Sequence, residues 1–413
     1  MFNKTQNKTV ASGASVPVAH PIDYNRDGQT SSNIVPAVDK LYQIIPKNSV
    51  LGQPWNNTLS QVELAFPQFL GKVTDSVLQM SITVTNTSAA SGTVQLTPTT
   101  QWFSRLETLL AAQVLESVEP YEIHTETVSY CTDQEFNNVY KSMNLSSSAG
   151  FASAFTLAAG ASATFTYYLP IWCSLFSTMQ PFIRGYADEF RLRLTFQNSI
   201  VTTNGTLAAA NTQVVLNSLY LWATEANISD SAAAGLEQAH RTGIIYRGII
   251  RNKWTRNEVS IPSASPYNQI LTTFNTDSAG LLVYAKANST DPTLSLTTYP
   301  LEQLELRDSS NSQLTQTLAA TLIQAYIMPQ QAPILSQTVN NSLYNIYLFP
   351  FCQNILHVLE TGKNGGGYNL AGGNTRIQFV PPTTLSNVTV SVVSYEYAVV
   401  AVRGGVAQVS RHA

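Results

Sequence analysis

The chain has 413 residues, of which 44% are hydrophobic, 10% aromatic and only 11% charged, less than half the usual globular charged share of about 25%. That composition can fill a core and excludes a chain held open by its own charge. The net charge of −3 gives no general reason to hold nucleic acid, whose binding rests on neutralised phosphates, and a prior of about 150 residues per domain gives two or three domains.

Residues 1–49 mix Asn, Ser, Thr, Gly and Pro without sustained periodicity and read as an N-terminal arm. The opening MFNKTQNKTV lacks the apolar run of a secretory signal. From about residue 50 a period of two dominates: Met80, Ile82 and Val84 share one face, Gln79, Ser81, Thr83 and Thr85 the other. Trp102, Leu106, Leu109 and Leu110 have helical spacing, so 101–115 predicts a connecting helix, although a strand could begin within it. Residues 142–183 contain no charge and approach the hydropathy of a membrane span, but their polar residues and Pro170 favour strand and turn.

In EFRLRLTFQ, Phe190, Leu192, Leu194 and Phe196 point one way, and Glu189, Arg191, Arg193, Thr195 and Gln197 the other. QVVLNSLYLW at 213–222 alternates with apolar groups on both faces, as in a strand covered on two sides. A turn of helix is expected at 232–241, in the linker 226–240, and another helix at 313–327 from Leu314, Leu318, Leu322 and Tyr326. Val388, Val390 and Val392 keep one phase before Val393, Tyr395, Tyr397 and Val399 take the other, which predicts a bulge near Val392.

Two segments repeat a pattern 179 residues apart: ATFTYYLPIWC at 163–173 and SLYNIYLFPFC at 342–352. Tyr168, Leu169 and Cys173 match Tyr347, Leu348 and Cys352. Each is followed by a Gly-containing connection, an alternating strand (RLRLTF or TRIQFV) and a long apolar strand. The repeated order implies an internal duplication. An all-β chain of two tandem jelly rolls, 50–225 and 241–403, with short connecting helices and a tail at 404–413, accounts for it.

Charge is segregated. Between Leu106 and Tyr140 there are seven acids, including Glu107, Glu116, Glu119, Glu122 and Glu126, and no Lys or Arg. Arg241, Arg247, Arg251, Lys253 and Arg256 form a basic stretch without an acid. The two stretches could meet across an interface, and these residues are the candidate subunit-contact charges, selecting register more than supplying affinity.

Other motifs carry less. DYNRDG (Asp23, Asn25, Asp27, Gly28) opens like a calcium loop, but Ile34 stands where the bidentate Glu belongs. GKNGGG at 362–367 lacks the ending of a phosphate loop. The glutamates could include a glycosidase pair, but spacing names none, and His124 with Cys131 establishes no nucleophile and base. Cys131, Cys173 and Cys352 fit neither a disulfide framework nor a zinc set, nor do Cys352 and His357 specify a metal, so a reduced compartment is expected. The reading is non-enzymatic, with no catalytic residue, no cofactor, no metal and no specific nucleic-acid recognition.

At YYLPIWC, the RLRLTF strand and the terminal VTVSVVSYEYAVV, the sequence resembles the double jelly-roll major capsid proteins of tectivirus-like viruses, over residues 50–403. The resemblance implies two eight-stranded jelly rolls side by side and a homotrimeric, pseudo-hexagonal capsomer of an icosahedral shell. It also implies neighbouring capsomers, penton or minor capsid proteins as partners, and terminal arms facing an internal viral membrane. The expected location is the virion capsid, assembled in the host cytoplasm. The alternatives are a receptor- or carbohydrate-binding viral spike and a jelly-roll glycosidase.

Overall fold

The computed structural model describes residues 39–47, 51–55, 61–119, 122, 141–144, 154–171, 179–274, 276–289, 298–308, 310, 312–314, 318–319, 322–327, 345–355, 358, 365–370 and 375–411. The architecture is all β, in two successive units of two packed sheets each.

The first unit holds β1 (Lys40–Ile44), β2 (Gln61–Ala65), β3 (Val73–Asn86), β4 (Gly92–Val94), β5 (Phe103–Leu110), β6 (Gln113–Val118), β7 (Phe155–Leu157), β8 (Ser162–Pro170), β9 (Phe190–Phe196) and β10 (Thr212–Glu225). One sheet runs β1-β10-β3-β8, the other β2-β9-β5-β6, and β4 and β7 form a separate pair. With that pair set aside, the orders are first-eighth-third-sixth and second-seventh-fourth-fifth, the winding of a jelly roll. Alternation does the folding: Leu78, Met80, Ile82 and Val84 of β3 are 0% exposed, and Phe190, Leu192, Leu194 and Phe196 of β9 face them from the other sheet.

The second unit holds β11 (Ile244–Ile261), β12 (Tyr267–Ile270), β13 (Asp277–Ala287), β14 (Thr298–Tyr299), β15 (Glu302–Arg307), β16 (Ile346–Pro350), β17 (Tyr368–Asn369), β18 (Arg376–Val380), β19 (Leu385–Arg403) and β20 (Val406–Arg411). One sheet is β11-β19-β13, with β16, β14 and β17 on the far edge of β13 and β20 on the end of β19; the other is β12-β18-β15. The fifth strand's place is marked by the bridges Arg307 to Gln313 and Leu304 to Leu318. The order is that of the first unit. The duplicated segments fall on equivalent strands: β8 pairs with β3 as β16 pairs with β13. RLRLTF and TRIQFV are β9 and β18, and the long apolar strands are β10 and β19.

Several expectations are corrected. Residues 103–110 form β5, not a helix: between β9 and β6 it is buried on both faces from Leu106 to Leu110, which erases alternation and imitates helical spacing. No bulge interrupts β19 near Val392; the register shift lies in β13 between Ser278 and Leu281. The strand is nearly buried on both faces, so its apolar residues need not share a phase. The segment read as arm contributes β1, because Tyr42 and Ile44 pack on the core, and the segment read as tail contributes β20. The uncharged run at 142–183 yields β7 and β8, and no helix among the described residues is long and apolar enough to cross a membrane.

The linker is a helix, α1 (Asp230–Thr242), beginning at Ser229, whose side chain accepts a hydrogen bond from the Ala232 amide at 3.2 Å. Within 313–327, a short helical stretch at Ile323–Ile327 follows the fifth-strand bridges.

Candidate functional site

The acidic and basic stretches do meet, but within one chain. β11 and β19 pair through Arg251–Tyr395 and Lys253–Val393, and β13 joins through Leu282–Val393, Tyr284–Ser391 and Lys286–Thr389. Alternation therefore places Arg251, Lys253, Tyr284 and Lys286 on one face of the second unit's larger sheet, the face turned away from its own core. Onto that face comes the end of β6. Glu116 Oε1 lies 2.7 Å from Arg251 Nη1, with side chains 0% and 5% exposed. Lys253 Nζ lies 2.5 Å from Glu119 and 3.1 Å from Glu122, and Lys286 Nζ lies 3.6 Å from Glu119.

Glu116, Glu122 and Arg251 are out of water, so their charges need partners, while Glu119 is 40% exposed at the rim of the cluster. Burial pushes the Glu119 carboxyl up, but Lys253 and Lys286 outweigh it and hold the group below its usual range. Burial lowers Lys253, yet Tyr284, Glu122 and Glu119 together hold its ammonium above the usual value. Lys286 is lowered by burial and then by Lys253. The cluster is a charged seam between the units.

A second seam lies where α1 ends. His240 is 0% exposed; its Nδ1 is 2.7 Å from the Leu236 carbonyl, and its Nε2 is 2.9 Å from the Tyr246 hydroxyl. With Nδ1 donating to that carbonyl, Nε2 accepts from Tyr246, which requires a neutral ring. Phe182 and Tyr186 of the first unit pack on the imidazole at centroid distances of 5.6 and 5.1 Å. Burial lowers the His240 pKa, partly offset by the Leu236 carbonyl. A side chain at Gly185 would place Cβ 2.5 Å from the His240 ring. Beside it, Gly404 and Gly405, with φ of +62° and +79°, turn β19 into β20, and the Gly405 carbonyl accepts from the Ala187 amide at 2.8 Å.

The predicted contact residues thus separate. Glu116, Glu119, Glu122, Arg251 and Lys253 pair with one another across the two units of one chain. Glu107 belongs to an outward ladder on the first unit's other sheet, where Glu63 meets Arg191 and Arg193 at 2.9 Å each and Arg193 reaches Glu107 at 3.5 Å. Arg241 and Arg247 are exposed, and Arg256 pairs with Glu258 at 2.7 Å. Glu126 lies outside the described residues, as do the DYNRDG turn, His124, Cys131, Cys173 and His357.

Sequence reasoning missed Lys286, although a single Lys in the apolar strand AGLLVYAKA signals a buried charge needing a partner. It also missed His240 and Gly185, which carry no sequence signal. Among the described residues no group of three His, Cys, Asp or Glu could hold a metal.

No protein-family model matches the sequence, and no curated relative matches it. Among solved structures, it is similar to a chain of the PBCV-1 virus capsid, with 13% identity and a TM-score of 0.66 over 90% of this chain and 96% of that one. It is similar to the Faustovirus major capsid protein, with 9% identity and a TM-score of 0.62 over 91% and 92% of the two chains. The mavirus major capsid protein matches at 11% identity and a TM-score of 0.50, over 98% of this chain and 97% of that one. The likeness is one of fold, the double jelly roll.

Proposed function

We propose that the chain is the major capsid protein of an icosahedral virus, and that three copies form a pseudo-hexagonal capsomer. The observation that carries this reading is the fusion of two jelly rolls of equal strand order by buried seams, which makes one chain supply two adjacent, similarly shaped wedges. Three such chains give six wedges, and a closed ring leaves no open-ended contact. The full-length likeness to capsid chains supports it. Neighbouring capsomers are its principal partners. Vertex and minor capsid proteins, terminal segments facing an internal membrane, and assembly in the host cytoplasm belong to the same proposal, as does a division into units of 40–225 and 244–411.

The test is native mass measurement with negative-stain imaging of the purified protein. Trimers with a six-sided outline are expected. A strictly monomeric protein under assembly-compatible conditions, or slender projections in place of closed-shell units, overturns the reading.

A further inference from the structure

The two units share a fold but not the fate of one surface. In the second unit, the face carrying Arg251 and Lys253 is covered: Leu282, Tyr284, Val393, Ile346 and Leu348 on it are at most 3% exposed. In the first unit the equivalent face is open among the described residues. Ser162, Thr164, Thr166 and Tyr168 of β8 are exposed, Tyr168 by 38%. Val77, Gln79, Ser81, Thr83 and Thr85 of β3, and Val215, Tyr220 and Trp222 of β10, are only half-buried. Leu41 and Ile45, at β1, are 65% and 66% exposed.

This face bears on why 213–222 reads as a strand covered on two sides: among the described residues of one chain, only one side of β10 is covered. From Val77 to Thr85 and across β8 it carries no charge, Asp75 standing at one end. Six of its polar side chains already bond in pairs, Thr83 with Thr164 at 2.9 Å, Thr85 with Ser162 at 2.7 Å, and Trp222 Nε1 donating to Gln79 at 2.7 Å. A face so arranged can lose water without stranding a charge, and those six keep their partners.

The occupant is indicated by the covered face. There, Glu116 at the end of the fifth strand of one unit, with Glu119 and Glu122 just beyond it, seats on the other unit's sheet. The matching residues of the second unit follow Leu318, which bridges Leu304 as Val118 pairs with Leu106. They are uncharged: no Asp, Glu, Lys or Arg occurs from 309 to 359. They also present Leu322 and Tyr326, 45% and 59% exposed, while Ile323 beside them is buried. A charged edge meets a charged face within the chain; the edge and face left over are both neutral, and both expose large apolar side chains.

We infer that the open sheet of the first unit seats a second copy of this chain, which docks Leu322 and Tyr326 of its second unit against Leu41, Ile45, Tyr168 and Trp222. The inference rests on the shell-subunit reading and deepens it. Each subunit joint is charge-free and alternates around the ring with the charged joint inside each chain.

The experiment compares self-association of the full chain with that of Tyr168→Glu, Tyr326→Glu and the control Val259→Glu, whose side chain is 87% exposed on β11. Sedimentation is combined with hydroxyl-radical footprinting of assembled and diluted protein. The first two variants are expected to weaken association on the order of tenfold or more, because each buries an unpaired charge. The control leaves association unchanged, and Tyr168, Trp222 and Tyr326 become protected on assembly. If the wild type associates while both variants associate equally well, or those side chains stay unprotected, the inference fails and the shell-subunit reading stands. If the wild type does not associate, the shell-subunit reading itself fails. Should a variant misfold by circular dichroism, the wild-type footprint decides.

Discussion

Arg251→Met removes the guanidinium that faces Glu116 at 2.7 Å, in a site where the two side chains are 5% and 0% exposed. Taking one partner from a buried ion pair costs about 3–5 kcal/mol. The variant should therefore lose about 3–5 kcal/mol at pH 7. Adding Glu116→Leu should recover most of the loss, since a buried pair replaced by apolar groups of similar size is often neutral. Urea unfolding monitored by tryptophan fluorescence measures all of this, provided that one transition is seen by several probes. A deficit under about 1 kcal/mol at pH 7, or a double variant as weak as the single, would refute the claim that this pair locks the units.

The remaining tests concern the second seam and the outer ladder. His240 has a pKa lowered in the folded state, so its contribution is complete above the unfolded value of about 6.5 and is lost as pH falls toward the folded one. The urea midpoint should drop between pH 7 and pH 5, with a shallower slope in His240→Gln; equal slopes would exclude His240, leaving Tyr186, Tyr246 and the nearby pair Arg184–Glu237, 2.8 Å apart, as the groups facing the seam. Gly185→Ala forces Cβ to within 2.5 Å of the His240 ring and should cost about 1–3 kcal/mol, read as a midpoint shift. Glu63→Gln removes the shared partner of Arg191 and Arg193, whose side chains are 22% and 26% exposed. The loss should be about 1 kcal/mol or less and shrink in high salt; a large, salt-independent loss would mean that this face is sealed from solvent.

Where one face of a strand is buried and the other open, the sequence could be read directly: β3 and β9 alternate because only one side of each meets the core. Where both faces are covered, the same reasoning failed. β5 looked helical and β19 looked kinked because burial on two sides removes the polar half of the pattern. The charge segregation was visible as well, but not its meaning. Residue order shows that Glu116 and Arg251 belong to opposite blocks; only the winding of two sheets shows that the blocks meet within one chain. The His240 seam left no trace, because a histidine on a short helix and a glycine in a loop acquire significance only from their separation in space.

The proposed division of charge between a joint within the chain and a joint between copies follows from how each would form. Within the chain, α1 tethers the units, so the second surface meets the first at high effective concentration, and the cost of desolvating Arg251, Lys253 and Lys286 is met during folding. A joint between separate chains has no tether and must first overcome lost translational freedom. Buried ions would add a desolvation penalty and a geometric demand to every encounter, whereas a sheet of mutually bonded Thr, Ser and Gln with a few apolar anchors adds neither. The difference has a measurable sign. Raising salt screens exposed charges and leaves neutral contacts intact, so chain-to-chain association should persist or strengthen at high ionic strength. Dissociation on adding salt would mean that the proposed neutral face is not where the copies meet.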